Sequence, residues 1–247
     1  MSLNGLRSAL PTVEPSDVET RRFGFRVGRL VLASDVLPVQ GLSESMSELD
    51  LLIVRVQASH CGWTFGQELA GLEVHHVDTL LYLQHQRPAP GVVSPPLIGT
   101  LNQLGEADGA ALTAALANSF EGYVNHYTRN PSIDDRYLMD GYIEWGLSHL
   151  ASTNGSVYAI HAANGDIATF ACVSIEGGIA EVSLAATHQD HRGKGLYVSL
   201  LNALGDLFDG IVISTQLSNT RVLEIWRSIG WTDIDAFHTY HILKAKF

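Results

Sequence analysis

Apolar residues recur along the chain with two periods, and each change of period marks an element. RRFGFRVGRLVLAS alternates apolar and polar positions, which predicts a strand, and LDLLIVRVQAS is a second apolar run rich in branched residues. A short helical stretch follows over Trp63 to Ala70, and EVHHVDTLLYLQ predicts a further strand, with His75 and His76 presenting one imidazole to each face. These elements predict a small α/β unit over residues 1–87. A unit of roughly sixty to seventy residues buries little alone and must dock on the remainder. HQRPAPGVVSPPLIG holds four of the eight prolines, which predicts a linker over 88–96.

The period changes to 3.6 in ADGAALTAALANSF and again in NPSIDDRYLMDGYIEWGLSHL. The second helix is expected to begin at Asn130-Pro131-Ser132, with Tyr137, Gly141, Trp145 and His149 on one stripe. SVYAIHA, IATFACVSI and IAEVSLAAT then predict three antiparallel strands joined by NGD and EGG turns. A helix follows with Leu196, Leu200, Leu204 and Phe208 at helical spacing. GIVIST predicts a strand, NTRVLEIWRSIG a helix closed by Gly230, and WTDIDAFHTYHILKAKF a closing strand or hairpin. The expected class is α+β with a largely antiparallel sheet, the second domain spanning 97–247.

Composition narrows the functions open to such a chain. Hydrophobic residues make up 46% and charged ones 17%, enough apolar material for a substantial core. Fifteen basic against 26 acidic side chains leave a formal charge of -11, which argues against nucleic-acid polymers and anionic membranes as partners. No apolar run reaches signal-peptide or membrane-span length, so the chain reads as cytoplasmic. Cys61 and Cys172 form neither a disulfide framework nor a metal motif, and the apolar surroundings of Cys172 predict a buried thiol. His188 and His191 make an H-x-x-H without two further ligands, better read as loop polar groups. No metal is expected.

Arg192-Gly193-Lys194-Gly195 follows a predicted strand and opens a helix. Glycines let the backbone approach a ligand closely, and the first N–H groups of a helix have no internal partner. A phosphate fits that arrangement, with Arg192 and Lys194 as local cations, and so does a plain glycine turn. The spacing is neither GxGxxG nor GxxxxGK[ST].

The three strands, RGKG, the helix, and the following strand, Asn-led helix and strand resemble the GNAT family of acyl-CoA-dependent N-acyltransferases. Arg192 and Gly195 match the family's [RQ]-x-x-G-x-[GA], with Tyr197 in place of the last small residue. Asn219 and Gly230 match its N-x6-Y-x3-G-[FY], with Trp226 in place of the tyrosine. The resemblance implies a GNAT fold and acetyl-CoA, or another short acyl-CoA, as donor. It implies donor contacts from the main chain of Leu184, Ala185, Ala186 and Thr187, from Arg192, Gly193, Lys194, Gly195, Leu196 and Tyr197, and from Asn219 and Trp226.

A narrower resemblance runs through FGFRVGRL, VDTLLYLQ, FEGYVNHYTRNPSIDDRYLMDGYIEW and TQLSNTRVLEIWRSIGW to the dTDP-fucosamine acetyltransferase group of sugar-nucleotide N-acyltransferases. It implies a dTDP-linked amino-deoxysugar as acceptor. His126, Tyr127, Asn130, Tyr142 and Trp145 offer aromatic faces and polar donors for it. A homodimer is compatible with this reading.

Glu181 has the spacing from Arg192 that a catalytic glutamate has in the histone-acetylating branch, and a solvated or ion-paired glutamate is the alternative. An aminosugar amine should titrate nearer about 7.7–8.0 than the ~10.4 of lysine, so water could also take its proton. Trp226 cannot protonate a leaving thiolate. Tyr240 or His238 on the closing strand could substitute. Neither cysteine lies in the motifs, so transfer is expected without an acyl-enzyme. Two other functions fit the same motifs: acetylation of a protein or metabolite amine, and non-catalytic sensing of acyl-CoA.

Overall fold

The computed structural model describes residues 2–10, 12–32, 42–60, 71–86, 97–134, 136–176 and 179–244. In chain order these form α1 (Leu3–Ser8), β1 (Glu14–Pro15), α2 (Asp17–Phe23), β2 (Val27–Leu32), α3 (Leu42–Glu48), β3 (Leu51–Gln57), β4 (Leu72–Gln86) and β5 (Leu101–Leu104). There follow α4 (Gly109–Ser119), α5 (Arg136–Ala151), β6 (Gly155–His161), β7 (Ile167–Glu176), β8 (Ile179–Thr187), α6 (Leu196–Leu207), β9 (Gly210–Gln216), α7 (Thr220–Ser228) and β10 (Thr232–Lys244).

The ten strands form one sheet in the order β1-β2-β3-β10-β4-β9-β8-β7-β6-β5. Only β2 with β3 and β8 with β9 run parallel; the other neighbours are antiparallel. The last strand is not at an edge. β10 lies between β3 and β4, so the front segment and the closing strand share one continuous sheet. On one face of β7–β9, Leu200, Leu201 and Leu204 of α6 and Leu223 and Trp226 of α7 build a core. On the other face, Leu112, Ala115 and Leu116 of α4 pack over Phe170, Cys172 and Leu184. No helix among the described residues is long and apolar enough to cross a membrane.

Three expectations change. The alternation in RRFGFRVGRLVLAS is only half strand, because Asp17–Phe23 is helical and ends on Gly24, whose φ of 73° closes it with Gly24 N–H donating to the Thr20 carbonyl. Phe23 and Phe25 alternate because both pack in the cluster around Tyr127. The second helix begins at Arg136, since Asn130 is spent in a turn, its carbonyl accepting from Ile133 N–H and its side chain from Ser132 N–H. Within α5 the stripe is split: Gly141 and His149 are buried, whereas Tyr137 and Trp145 are exposed. A short strand, β5, precedes α4 on the outer edge of the sheet and was not expected. The helix expected over 63–70 and the linker over 88–96 lie outside the described residues.

Candidate active site

The parallel pair β8 and β9 opens the site. They pair only at Ala180–Ile211, Glu181–Val212 and Val182–Ile213, then separate. A bulge at Ser183 helps to set the divergence, since Val182 and Leu184 oppose the consecutive residues Val173 and Cys172 of β7. Beyond it Leu184, Ala185, Ala186 and Thr187 pair with β7 on one side, while their other edge faces a cavity of about 1120 Å³.

That open edge runs into the glycine loop. Gly193 and Gly195 both have φ of 75°, and Gly195 caps α6. A Cβ at Gly193 would meet nothing, so its requirement is purely conformational; one at Gly195 would lie 3.2 Å from Ile98 Cδ1. The two cations hold the loop. Arg192 donates to the carbonyls of Ser119 (3.2 Å) and Thr187 (3.4 Å), and Lys194 Nζ donates to the Asp190 carbonyl (2.9 Å). Arg192, Gly193, Gly195, Leu196 and Tyr197 line the cavity; Lys194 does not. What this end offers an anion is the amides of the first turn of α6.

The two residues that depart from the family motifs meet. Trp226 Nε1 donates to the Tyr197 hydroxyl at 3.1 Å, and both line the cavity. Burial raises the Tyr197 pKa, against the Trp226 bond, which lowers it. The phenol therefore stays protonated, and the Trp226 N–H is the contact that eases its ionisation. Asn219 caps α7 and donates from Nδ2 to Thr215 Oγ1 at 3.1 Å, beside the open end of β9.

Across the opening lie the other charges. Glu181 stands at the root of the split, 8% exposed, its Oε2 accepting from Leu3 N–H at 2.8 Å. Burial raises its pKa, with the Leu3 bond opposing. Asp78, on β4, is equally buried and likewise raised by burial; its carboxylate accepts from Thr79 N–H at 2.7 Å. Asp78 and Arg55 of β3 both line the cavity, and neither was singled out in the sequence. The signal available was a single charge inside each of two apolar runs, IVRVQ and HVDTLL.

The five acceptor candidates separate. Asn130 is buried off the cavity and donates to His241 Nδ1 at 2.9 Å. The opposite nitrogen of His241 is 3.0 Å from His126 Nδ1, so the chain of donors leaves Nε2–H on His126. Both rings are neutral: burial lowers His126 well below its ordinary value and brings His241 to about 4. Tyr127 lines the cavity with its ring but donates its hydroxyl to Glu19. Tyr142 stacks on Phe120 at 4.5 Å and accepts from Asn125, while Trp145 stands 43% exposed at the rim.

The two substitute acids do not reach this space. β10 turns Phe237, Thr239 and His241 to one face. Tyr240 therefore falls on the other, packing with Met46, Val56 and Ile242, and His238 Nδ1 meets Thr79 Oγ1 at 3.0 Å. Neither lines the cavity. His191 lines it; His188 accepts from Asp190 N–H. Among the described residues no group of three His, Cys, Asp or Glu side chains converges as a metal site.

No family model and no curated protein matches the chain. Solved structures do. A GNAT-family protein from Novosphingobium aromaticivorans superposes with a TM-score of 0.54 at 16% identity over 98% of this chain and 93% of its own. A GCN5-related N-acetyltransferase from Sphaerobacter thermophilus gives 0.60 at 12% identity over 93% and 75%. One from Kribbella flavida gives 0.52 at 14% identity over 90% and 82%. The chain thus has the GNAT fold, and the split between β8 and β9 with the glycine loop lies within it.

Proposed function

We propose that this chain is an acyl-CoA-dependent N-acyltransferase, moving a short acyl group, acetyl most simply, directly onto a primary amine. The observation that carries the reading is the continuous path from the open edge of Leu184–Thr187 to the amides at Gly193 and Gly195. An extended chain with amide groups can add to that edge as a strand would, and its diphosphate can end on the first turn of α6.

The chemistry then follows from the groups nearby. The amine must be neutral, and Glu181, whose proton affinity burial increases, is the candidate acceptor of its proton; water is the other. As the C–N bond forms and the C–S bond breaks, the sulfur carries the leaving charge. Tyr197 gives it the phenolic proton and recovers one from water, while the Trp226 N–H supports the phenolate oxygen between those events. Trp226 and Tyr197 together thus supply what a tyrosine on α7 would supply. This favours turnover over passive sensing of acyl-CoA.

For the acceptor we propose a dTDP-linked amino-deoxysugar, with Trp145 and Tyr142 as aromatic surfaces for the base or sugar and His126 Nε2–H as a donor. A protein or metabolite amine is the alternative, and acceptor competition separates them. The test of the whole is calorimetry with CoA, followed by thiol release from acetyl-CoA with dTDP-aminosugars and with lysine peptides. No heat with CoA ends the proposal. Tyr197→Phe should retain CoA affinity and lose about 10²–10⁴-fold in kcat. An unchanged kcat removes the proton-donor role.

A further inference from the structure

We infer that the acceptor carries an oxyanion, a carboxylate or a phosphate, in addition to its amine, and that Arg55 binds it. The inference rests on the N-acyltransferase reading and adds the class of acceptor.

Arg55 is the one charge in β3, between the buried residues Val54 and Val56. Its Nε is buried without a hydrogen-bond partner. Among the described residues its guanidinium makes no hydrogen bond or ion pair, although it opens into the cavity. Of the other cavity arginines, Arg22 pairs with Glu144, Arg29 with Glu19 and Arg192 with the carbonyls of Thr187 and Ser119, while Arg221 stands exposed to solvent on α7 and needs no partner.

The neighbouring carboxylates that could have neutralised Arg55 are taken elsewhere, Glu19 by Arg29. Asp78 accepts from Thr79 N–H and Glu181 from Leu3 N–H. Both feel the positive charge of Arg55, yet neither is in ion-pair contact with it. A half-buried guanidinium whose inward Nε–H has no partner is costly. Its retention beside open space is explained if the ligand brings the anion, and a guanidinium fork matches carboxylate and phosphate oxygens in pairs.

Register supplies the other half of the site. Thr239 of β10 is the partner of Arg55 on β3 and of Asp78 on β4. All three line the cavity, so cation, hydroxyl and carboxylate stand in a row across three neighbouring strands. Strand spacing puts the end members roughly 10 Å apart at their backbones. The row seats the acceptor's oxyanion on Arg55 and draws its ammonium toward Asp78 before Glu181 or water takes the proton.

The test uses CoA-saturated protein, so that the glycine loop is already occupied, and matched probes that differ in the oxyanion. L-Phenylalanine against phenethylamine tests a carboxylate; glucosamine 6-phosphate against glucosamine tests a phosphate, with a dTDP-aminosugar as the nucleotide arm. Calorimetry should show binding of an oxyanion-bearing probe and about a hundredfold weaker binding of its neutral counterpart. Arg55→Met should lose a similar factor for the anionic probe with CoA affinity and Tm preserved, and Arg55→Lys should recover part of it. Equal binding of both members, indifference to Arg55→Met, or no binding of any anionic probe overturns the inference. Failure to bind CoA would instead end the acyltransferase reading, and the two outcomes are read in separate titrations.

Discussion

Glu19 is wholly buried, and the corner between α2 and β2 is assembled on it. Its carboxylate accepts from Arg29, Ser16 and Tyr127, with the Arg29 Nε bond at 2.8 Å. Glu19→Gln preserves the volume and removes the charge. Burial by itself pushes this carboxyl up, but the Arg29 hydrogen bonds and charge, joined by Ser16 and Tyr127, bring it from 4.5 down to about 2. That interval converts to ~3 kcal/mol of folding stability. Removing one partner of a buried ion pair independently costs about 3–5 kcal/mol, so the two routes agree. The sign is fixed: a depressed carboxyl contributes fully above its unfolded value of 4.5, and the contribution is lost as pH falls from there toward 2. Urea unfolding of both proteins should show a gap of ~3 kcal/mol at pH 7 that narrows steadily below pH 4.5. A gap under ~1 kcal/mol at neutral pH, or one that does not change with acid, would refute the reasoning.

Gly193→Ala meets no atom but must hold a φ of 75°, which costs about 1–2 kcal/mol; CoA should bind roughly 5- to 30-fold more weakly by calorimetry. If Glu181 takes the amine proton, kcat/KM should fall on the acid side with a midpoint above 4.5, the ordinary glutamate value, because burial raises this carboxyl. Glu181→Gln should abolish that limb, and a profile identical to wild type points to water instead. Burial pushes the Cys172 thiol up to about 12. In a Cys61→Ser background it should resist thiol reagents until the protein unfolds, and Cys172→Ala should retain acyl transfer.

Periodicity carried most of the second half of the fold. The strands from SVYAIHA to IAEVSLAAT could be read as apolar runs bounded by turn residues, β7 being covered on both faces, and the helix of Leu196, Leu200 and Leu204 because it buries one repeating face. The glycine loop was readable for another reason: a positive φ demands glycine locally, whatever the tertiary context. Short elements were not readable. In α2 a seven-residue helix next to a strand leaves a pattern that both periods fit. Nor does a strand announce its neighbours. Placing β10 between β3 and β4 decides that Thr239 faces the cavity and Tyr240 does not, and it brings Arg55 and Asp78 into one row. The Trp226–Tyr197 hydrogen bond was hidden for the same reason, since 29 positions separate two residues that each looked like a defect alone.

The place of β10 has a consequence for how the protein is made. β3 and β4 have no ladder to each other; residues 232–244, translated some 150 positions after β4 ends, must slide between them. Until then two long strand edges stand open on the nascent chain, inviting adhesion to other chains. Maturation of the pocket should therefore await emergence of that segment from the ribosome, and expression should depend on holdase chaperones more than final stability would suggest.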